Sequence, residues 1–475
     1  MTSTWSVSRL RRHEDPLGTE LLAPLDLAFW HLESAAHPMH LGALAVFAPP
    51  PGADPGPDAL LELLGARAAA VPRLRMRVRD VLLPVGGAAW STDPDFNVHH
   101  HVRRVQLPAE EAAPGGPGFM GAATRLAGEL MERPLRRGLP PWEMYLIDGP
   151  AGGPFAVLVK LHHALADGMR AVAIGAGIFD QIAPATARPR PAARPVPVPP
   201  RSWMPGPRQV AGLALERIED LGRAFGVGAS LVRAGRLDLR GAPVLRAGSS
   251  GTRRLATADL DLDAVRRVRR ATGGTGNDVL LAVVAGALRR WMLERGETPP
   301  GDDPRALVPV SRRRPGGAAA ATGNRLSAYL LGLPVSEPDP RERLRLVREA
   351  MDRNKAAGPL RGAGAVAVLA DQLPSLAHRF GAPLAGNAAR MLFDVLVTSV
   401  PLPRSRLSLA GCPLSALYPM APLARGQSMA VALTTYGSRV HIGLVGDGKA
   451  LPDLEGLARC ADEELEALLA EVIKV

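Results

Sequence analysis

Two hydrophobic periods run through the chain, on both sides of a proline-rich break. "HLGALAVFAP" (40–49) and "PFAVLVKLH" (154–162) are short apolar runs of strand type. Between them, "PDALLELLGARAAAV" (57–71) has helical spacing. "DGMRAVAIGAGIFDQIA" (167–183) again reads as a helix, with Asp167 at or near its N-cap. Past the break, "RRLATADLDLDAVRRVRRA" (253–271) predicts a strand and then a helix. "NDVLLAVVAGALRRWMLERG" (277–296) predicts a long helix capped by Asn277 and stopped by Gly296. Segments 305–311, 326–335, 393–403 and 427–447 read as strands, the last folding back as a hairpin around Tyr436-Gly437-Ser438. A C-terminal helix starts near Pro452-Asp453, with Leu454, Leu457, Leu465, Leu468, Leu469 and Val472 on one stripe.

The break is "APATARPRPAARPVPVPPRSWMPGPR" (183–208), where nine prolines fall between Pro184 and Pro207. So many missing amide donors preclude a packed element and predict an extended linker. The expected organisation is an α/β half at 1–182, a linker at 183–208 and a second α/β half at 209–475. The second half opens on 209–235, a helical pattern with basic residues on its polar side. Such a helix either lies on a membrane surface or packs on its own domain.

Composition narrows the setting. The 475-residue chain is 47% hydrophobic, enough for two large cores, and carries a net charge of +11. That charge suits an anionic partner, although arginine scattered through an Ala/Gly/Pro-rich chain also matches a plain compositional bias. Cys412 and Cys460 make no disulfide framework, which fits a reducing compartment. The first residues show no apolar core of a signal peptide, and no run reaches the ~18 apolar residues of a membrane span. The expected location is the cytoplasm. The arginine runs "RRVRR" (266–270) and "SRRRP" (311–315) either hold a phosphate or form solvated faces. They lack interleaved aromatics, so nucleic acid is not an expected partner.

The chemistry concentrates in "LVKLHHALADGMRAVAIG" (158–175). Neighbouring side chains of a strand point to opposite faces, so one of His162 and His163 can face a cleft while the other packs inward. A neutral imidazole at a cleft can accept a hydroxyl proton. Asp167, with Gly168 permitting a tight turn, could pair with an arginine and fix the loop, or serve only as a helix cap. Metal binding lacks a third ligand there. "HHH" (99–101) invites a second metal hypothesis, opposed by alternation along a strand. Asn277-Asp278 follows "GGTG" with no Gly-Lys-Ser/Thr, so it is no P-loop; Asn277 is either an N-cap or an amide near the reaction centre.

The pattern H-H-x-x-x-D-G resembles the signature of the CoA-dependent acyltransferase superfamily. More specifically, the chain is similar to bacterial wax ester synthase/diacylglycerol acyltransferases, and the likeness runs nearly end to end. It includes "LLAPLDLAFWHLESAAHPMHLGALAVF" (21–47) with Pro24-Leu25-Asp26, "WSTDPDFNVHHHVRRVQLP" (90–108) and "RPLRRGLPPWEMYLIDG" (133–149). It continues through "GNDVLLAVVAGALRRWM" (276–292), "LVPVSRRR" with "GNRLSAYLLGLPV" (307–335) and "YPMAPLARGQSMAVALTTYGSRVHIGLVGD" (418–447).

The resemblance implies two chloramphenicol-acetyltransferase-like sandwich domains, a pseudo-dimer meeting at a central channel. It implies His163 as general base, with His162 and Asp167 supporting and Gly168 in the turn. The oxyanion would be met by Asn277, Thr398 or Ser399, and Asp278 and Trp142 join these as substrate-binding candidates. Acyl-CoA would be co-substrate, with no cofactor or metal. The acceptor would be diacylglycerol or a long-chain alcohol, and the enzyme could sit peripherally at the inner membrane face or on lipid inclusions. Two departures bear on the acceptor: Pro140-Pro141-Trp142 stands for the family's Pro-Leu-Trp, and Ser399-Val400-Pro401-Leu402-Pro403 for its Asn-Val-Pro-Gly-Pro. They leave open an O- or N-acyltransferase with a soluble acceptor. A non-catalytic acyl-CoA- or lipid-binding protein is the other alternative.

Overall fold

The computed structural model describes residues 20–82, 85–108, 118–150, 152–182, 243–246, 250–311, 326–357, 392–403 and 405–473. The expected linker at 183–208 and the amphipathic segment at 209–235 lie outside them. Sixteen strands and eight α-helices follow, numbered in chain order.

The first half contributes β1 (Glu20–Leu21), β2 (His40–Phe47), β3 (Met76–Asp80), β4 (Ala88–Thr92), β5 (Val102–Gln106), β6 (Trp142–Asp148), β7 (Phe155–His162) and β8 (Asp180–Ile182). Its helices are α1 (Pro24–Leu32), α2 (Pro57–Ala70), α3 (Gly118–Glu132) and α4 (Gly168–Ile178). The second half contributes β9 (Arg253–Asp261), β10 (Arg305–Ser311), β11 (Leu326–Gly332), β12 (Val395–Pro401), β13 (Arg406–Leu409), β14 (Cys412–Met420), β15 (Met429–Tyr436) and β16 (Arg439–Asp447). Its helices are α5 (Leu262–Thr272), α6 (Gly276–Glu294), α7 (Pro340–Ala357) and α8 (Leu454–Ile473).

Two large mixed sheets carry the architecture. One is seven-stranded, ordered β5-β6-β7-β2-β14-β13-β8; the other is six-stranded, ordered β11-β10-β12-β15-β16-β9. A three-stranded sheet, β1-β4-β3, sits beside them. The division into halves at 1–182 and 209–475 therefore needs a correction: β13 and β14, from the second half, complete the first half's sheet. β14 pairs antiparallel with β2 from Gly42 to Phe47, and β13 pairs with β8. An uncovered β2 edge would leave its backbone groups unpaired, and β14 satisfies them.

Period-2 alternation explains how each sheet is buried on both faces. Along β2, Ala45 and Phe47 join a core with α2 and β6, while Leu44 and Val46 face a second core shared with α3 and the other sheet. Along β15, Met429, Val431 and Leu433 face the helices of the second half, while Ala430 and Ala432 face the first half. Small residues on that face let the two sheets approach. In the second half, α6 crosses α8 at Gly286, where any Cβ would collide with the Glu464 carboxylate.

Most predicted elements recur within a few residues. Two differ. The helix expected over 167–183 stops at Ile178, because Asp180–Ile182 pairs as β8 with Arg406–Ser408. The long helix after "GGTG" is capped by Thr275, not Asn277: Thr275 accepts from the Asp278 amide and the Asp278 side chain accepts from the Thr275 amide, a reciprocal capping box.

Candidate functional site

The apolar run of β7 ends at His162, and the chain turns immediately afterwards. The His163 amide donates to Met39 O at 2.8 Å, and the Leu165 amide to His162 O at 2.8 Å. Asp167 then caps α4, its buried carboxylate accepting from the Arg170 amide at 2.7 Å. Asp167 is thus the N-cap of α4.

The two imidazoles diverge, as alternation requires. The His163 ring is half-buried, stacks on Phe29 of α1 with centroids 4.1 Å apart, and lies on the wall of a cavity. Burial pushes its pKa down to about 4 and the His162 ring adds to this; its own backbone carbonyl and the Asp167 carboxylate oppose the shift. At neutral pH the ring is thus an uncharged base.

His162 is fully buried. Its Nδ1 accepts from the Ala164 amide at 3.0 Å, and its Nε2 lies 3.5 Å from Glu33 Oε1. Trp30 meets the ring edge-on at 5.0 Å. Arg137 reaches over both: its guanidinium bonds Glu33 Oε2 at 3.1 Å and covers the Trp30 ring at 4.3 Å. Burial works against the Glu33 charge, but His162, Arg137 and the Met39 amide together hold its pKa below the usual range. Beside them, Lys160 is fully buried on β7 and donates to Leu130 O and Arg133 O, at the C-terminal end of α3. Burial brings its pKa down to about 8, against the pull of Glu143. His40 Nε2 donates to Met131 O at 2.6 Å in the same turn.

The cavity holds about 1120 Å³ of empty space, part of it open to solvent, where the two large sheets face each other. β2, β7, α4, β12, β14 and β15 all contribute to its wall. Among the described residues that line it, His163 is the one ionisable side chain and Thr398 the one hydroxyl; the others are apolar or glycine.

The structure brings together some predicted residues and separates others. His163, Gly168 and Thr398 line the cavity, whereas His162 and Asp167 are buried and do not. Gly168 has no positive φ, so no strained turn requires it. A Cβ there would instead lie 3.4 Å from Val400 across the cavity. Ser399 points away and is exposed, as the neighbour of Thr398 on a strand must. Trp142 is no wall residue: it is fully buried, donates to Leu74 O at 2.6 Å and stacks on His101. Asn277 and Asp278 do not line the cavity either; they form the first turn of α6, with Asp278 serving its cap.

Of the two departures, Val400, Leu402 and Pro403 form cavity wall, whereas Pro141 accepts from the His162 amide at 3.0 Å. The three consecutive histidines separate. His99 and His100 are exposed, while His101 is buried between Phe96 and Trp142 and bonds Trp142 O at 2.9 Å. Arginines 266, 267, 269 and 270 are exposed on α5. Residues 312–315 of the second run lie outside the described part. Glu33, Arg137 and Lys160 escaped sequence reasoning. The available signals were a lysine inside an apolar strand and a glutamate at the end of α1, and neither has a local spacing that ties it to the histidine pair.

Comparison with known proteins places these features. Residues 22–280 match the wax ester synthase/diacylglycerol acyltransferase catalytic domain, and residues 322–469 match the C-terminal domain of the same family. A probable diacylglycerol O-acyltransferase of Mycobacterium tuberculosis is 32% identical over 463 residues, covering 94% of this chain and 96% of that protein. In fold, the chain is similar to the wax ester synthase/diacylglycerol acyltransferase from Marinobacter aquaeolei VT8. The TM-score is 0.67 at 23% identity, over 95% of this chain and 99% of that one. It is also similar to the TRI3 trichothecene 15-O-acetyltransferase from Fusarium sporotrichioides, with a TM-score of 0.61 at 11% identity over 94% of each chain.

Proposed function

The chain belongs to the wax ester synthase/diacylglycerol acyltransferase family, and on that premise we propose that His163 is the general base of acyl transfer from acyl-CoA to a lipid hydroxyl. The protein is an O-acyltransferase, and its acceptor is diacylglycerol or a long-chain alcohol. Diacylglycerol is the reading favoured by the name of the 32%-identical relative. The alternatives of a soluble acceptor and of a non-catalytic binder gain nothing from these relatives.

One observation supports the role of His163: among the described residues it is the one ionisable side chain on a cavity wall that is apolar or glycine but for Thr398, and burial holds it uncharged. The acceptor hydroxyl gives its proton to the neutral ring as its oxygen attacks the thioester carbonyl. The tetrahedral oxyanion collapses, the C–S bond breaks, and the imidazolium returns the proton to the departing CoA thiolate. Ester and free CoA result, with the ring restored. Among the described wall residues, the Thr398 hydroxyl is the one that can donate to the oxyanion. An apolar wall suits acyl chains, since burying each methylene contributes about 0.8 kcal/mol. The proposed reaction draws only on acyl-CoA and the acceptor.

We further propose peripheral docking on anionic lipid, supported by the +11 charge and by exposed Leu82 and Val85 beside the β3–β4 turn. None of the described helices is long and apolar enough to cross a membrane.

The test is His163→Ala, purified and assayed with long-chain acyl-CoA and diacylglycerol or hexadecanol, following free thiol and identifying the ester by mass. General-base help is worth roughly 10²–10⁴-fold, so turnover should fall by that factor with the melting curve retained. Near-normal turnover would refute the assignment.

A further inference from the structure

We infer that Glu33 is a positioning residue: it fixes the tautomer of His162, and through that tautomer the turn that aims His163. The inference rests on the reading of His163 as base, and adds a group from the far end of α1, distant in sequence.

A backbone amide can only donate. The Ala164 amide points at His162 Nδ1 from 3.0 Å, so that nitrogen must hold a lone pair and no proton. The proton of the neutral ring is therefore on Nε2. Nε2 is buried and lies 3.5 Å from Glu33 Oε1, and neither atom has another hydrogen-bond partner among the described residues. A carboxylate there favours Nε2–H over Nδ1–H. With the opposite tautomer, the Ala164 amide would face an N–H, and Nε2 would turn a lone pair toward an anion. Either contact leaves a buried hydrogen-bonding group unmet.

Ala164 directly follows His163. The ring of His162 thus ties the backbone on both sides of the base, while Met39 O holds the His163 amide at 2.8 Å. Glu33 is itself held: Arg137 Nη2 bonds Oε2 at 3.1 Å and Trp30 O at 3.2 Å, while Trp30 packs on the His162 ring. Phe29, stacked on His163, and Trp30 and Glu33, set against His162, follow one another closely from α1. One short segment therefore positions both rings.

The experiment labels the histidines with ¹⁵N and reads tautomers from long-range proton–nitrogen correlations at neutral pH, assigning His162 by its loss in His162→Asn. The expected signal is Nε2–H alone; an Nδ1–H tautomer or an imidazolium would overturn the inference without bearing on His163 as base. Glu33→Ala should lower kcat by up to roughly 100-fold, the cost of a displaced catalytic group, with KM within twofold. It should also admit the Nδ1–H tautomer. Glu33→Gln can still turn its one acceptor oxygen to His162 Nε2–H, its NH2 taking the Oε2 place and giving up the Arg137 bond, and should stay within a few-fold of wild-type kcat with the tautomer unchanged. Loss of activity in Glu33→Gln with the tautomer intact would refute the mechanism, as would full activity in Glu33→Ala. If Glu33→Ala does not fold, the wild-type tautomer and Glu33→Gln still decide.

Discussion

Acid should unfold this protein partly through His163, the proposed base. His163 has a folded-state pKa of about 4, against 6.5 for an ordinary histidine, because burial disfavours the imidazolium. Above 6.5 the ring is neutral in folded and unfolded chains, and pH has no leverage through it. Between 6.5 and about 4 the unfolded chain binds a proton that the folded chain refuses, so unfolding takes up a proton and stability falls as pH falls. Below about 4 both states are protonated and the loss is complete. At about 1.4 kcal/mol per pH unit, the full loss from this one group comes to about 3 kcal/mol. The assay is urea unfolding of wild type and His163→Gln from about pH 7.5 down to about pH 4. The difference between the two stabilities removes every other titrating group, including His40, which burial also depresses. That difference should be flat above pH 6.5 and move against the wild type by about 3 kcal/mol at the acid end. The same ring predicts an acid limb of kcat/KM well below 6.5. A flat stability difference, or an activity limb at or above 6.5, would refute the claim that this base is held neutral by burial.

Three further outcomes follow from the geometry. Gly168→Leu projects into the cavity opposite Val400, so kcat/KM with long-chain acyl donors should fall roughly 10- to 200-fold at an unchanged urea midpoint; unaltered kcat/KM would show that the cavity is not the substrate path. Trp142→Phe strands the buried Leu74 carbonyl and should cost about 1–3 kcal/mol in urea unfolding while the folded fraction keeps its kcat/KM; lost activity at unchanged stability would return Trp142 to the substrate site. Co-sedimentation with phosphatidylglycerol vesicles should weaken as salt rises and weaken again in Leu82→Asp, since surface charges are screened within about 10 Å at ~0.1 M salt. Binding that ignores both changes would dispose of the proposed docking.

How much of this was legible in the chain divides along a physical line. Local periodicity marks β2, β7, α6 and the C-terminal helix, because those patterns follow from one strand or one helix having to bury a face. The capping chemistry of Asp167 is equally local, and so is the divergence of His162 and His163, which a strand imposes on any adjacent pair. The order of motifs along the chain marks the family. Burial and juxtaposition are not local properties. Whether Trp142 lines a cavity or fills a core depends on Leu74 and His101, 68 and 41 residues away. Thr398 reaches the cavity and Ser399 does not because β12 lies between β10 and β15 in one register. The crossing of β14 into the first sheet answers the unpaired edge of β2 some 370 residues earlier. Glu33 meets His162 only because α1 and the end of β7 close on each other. By itself the sequence determined the local elements and the family, and offered the candidates for the chemistry. Tertiary packing decided which of them meet, since desolvation and hydrogen-bond geometry are set by neighbours that no spacing along the chain reveals.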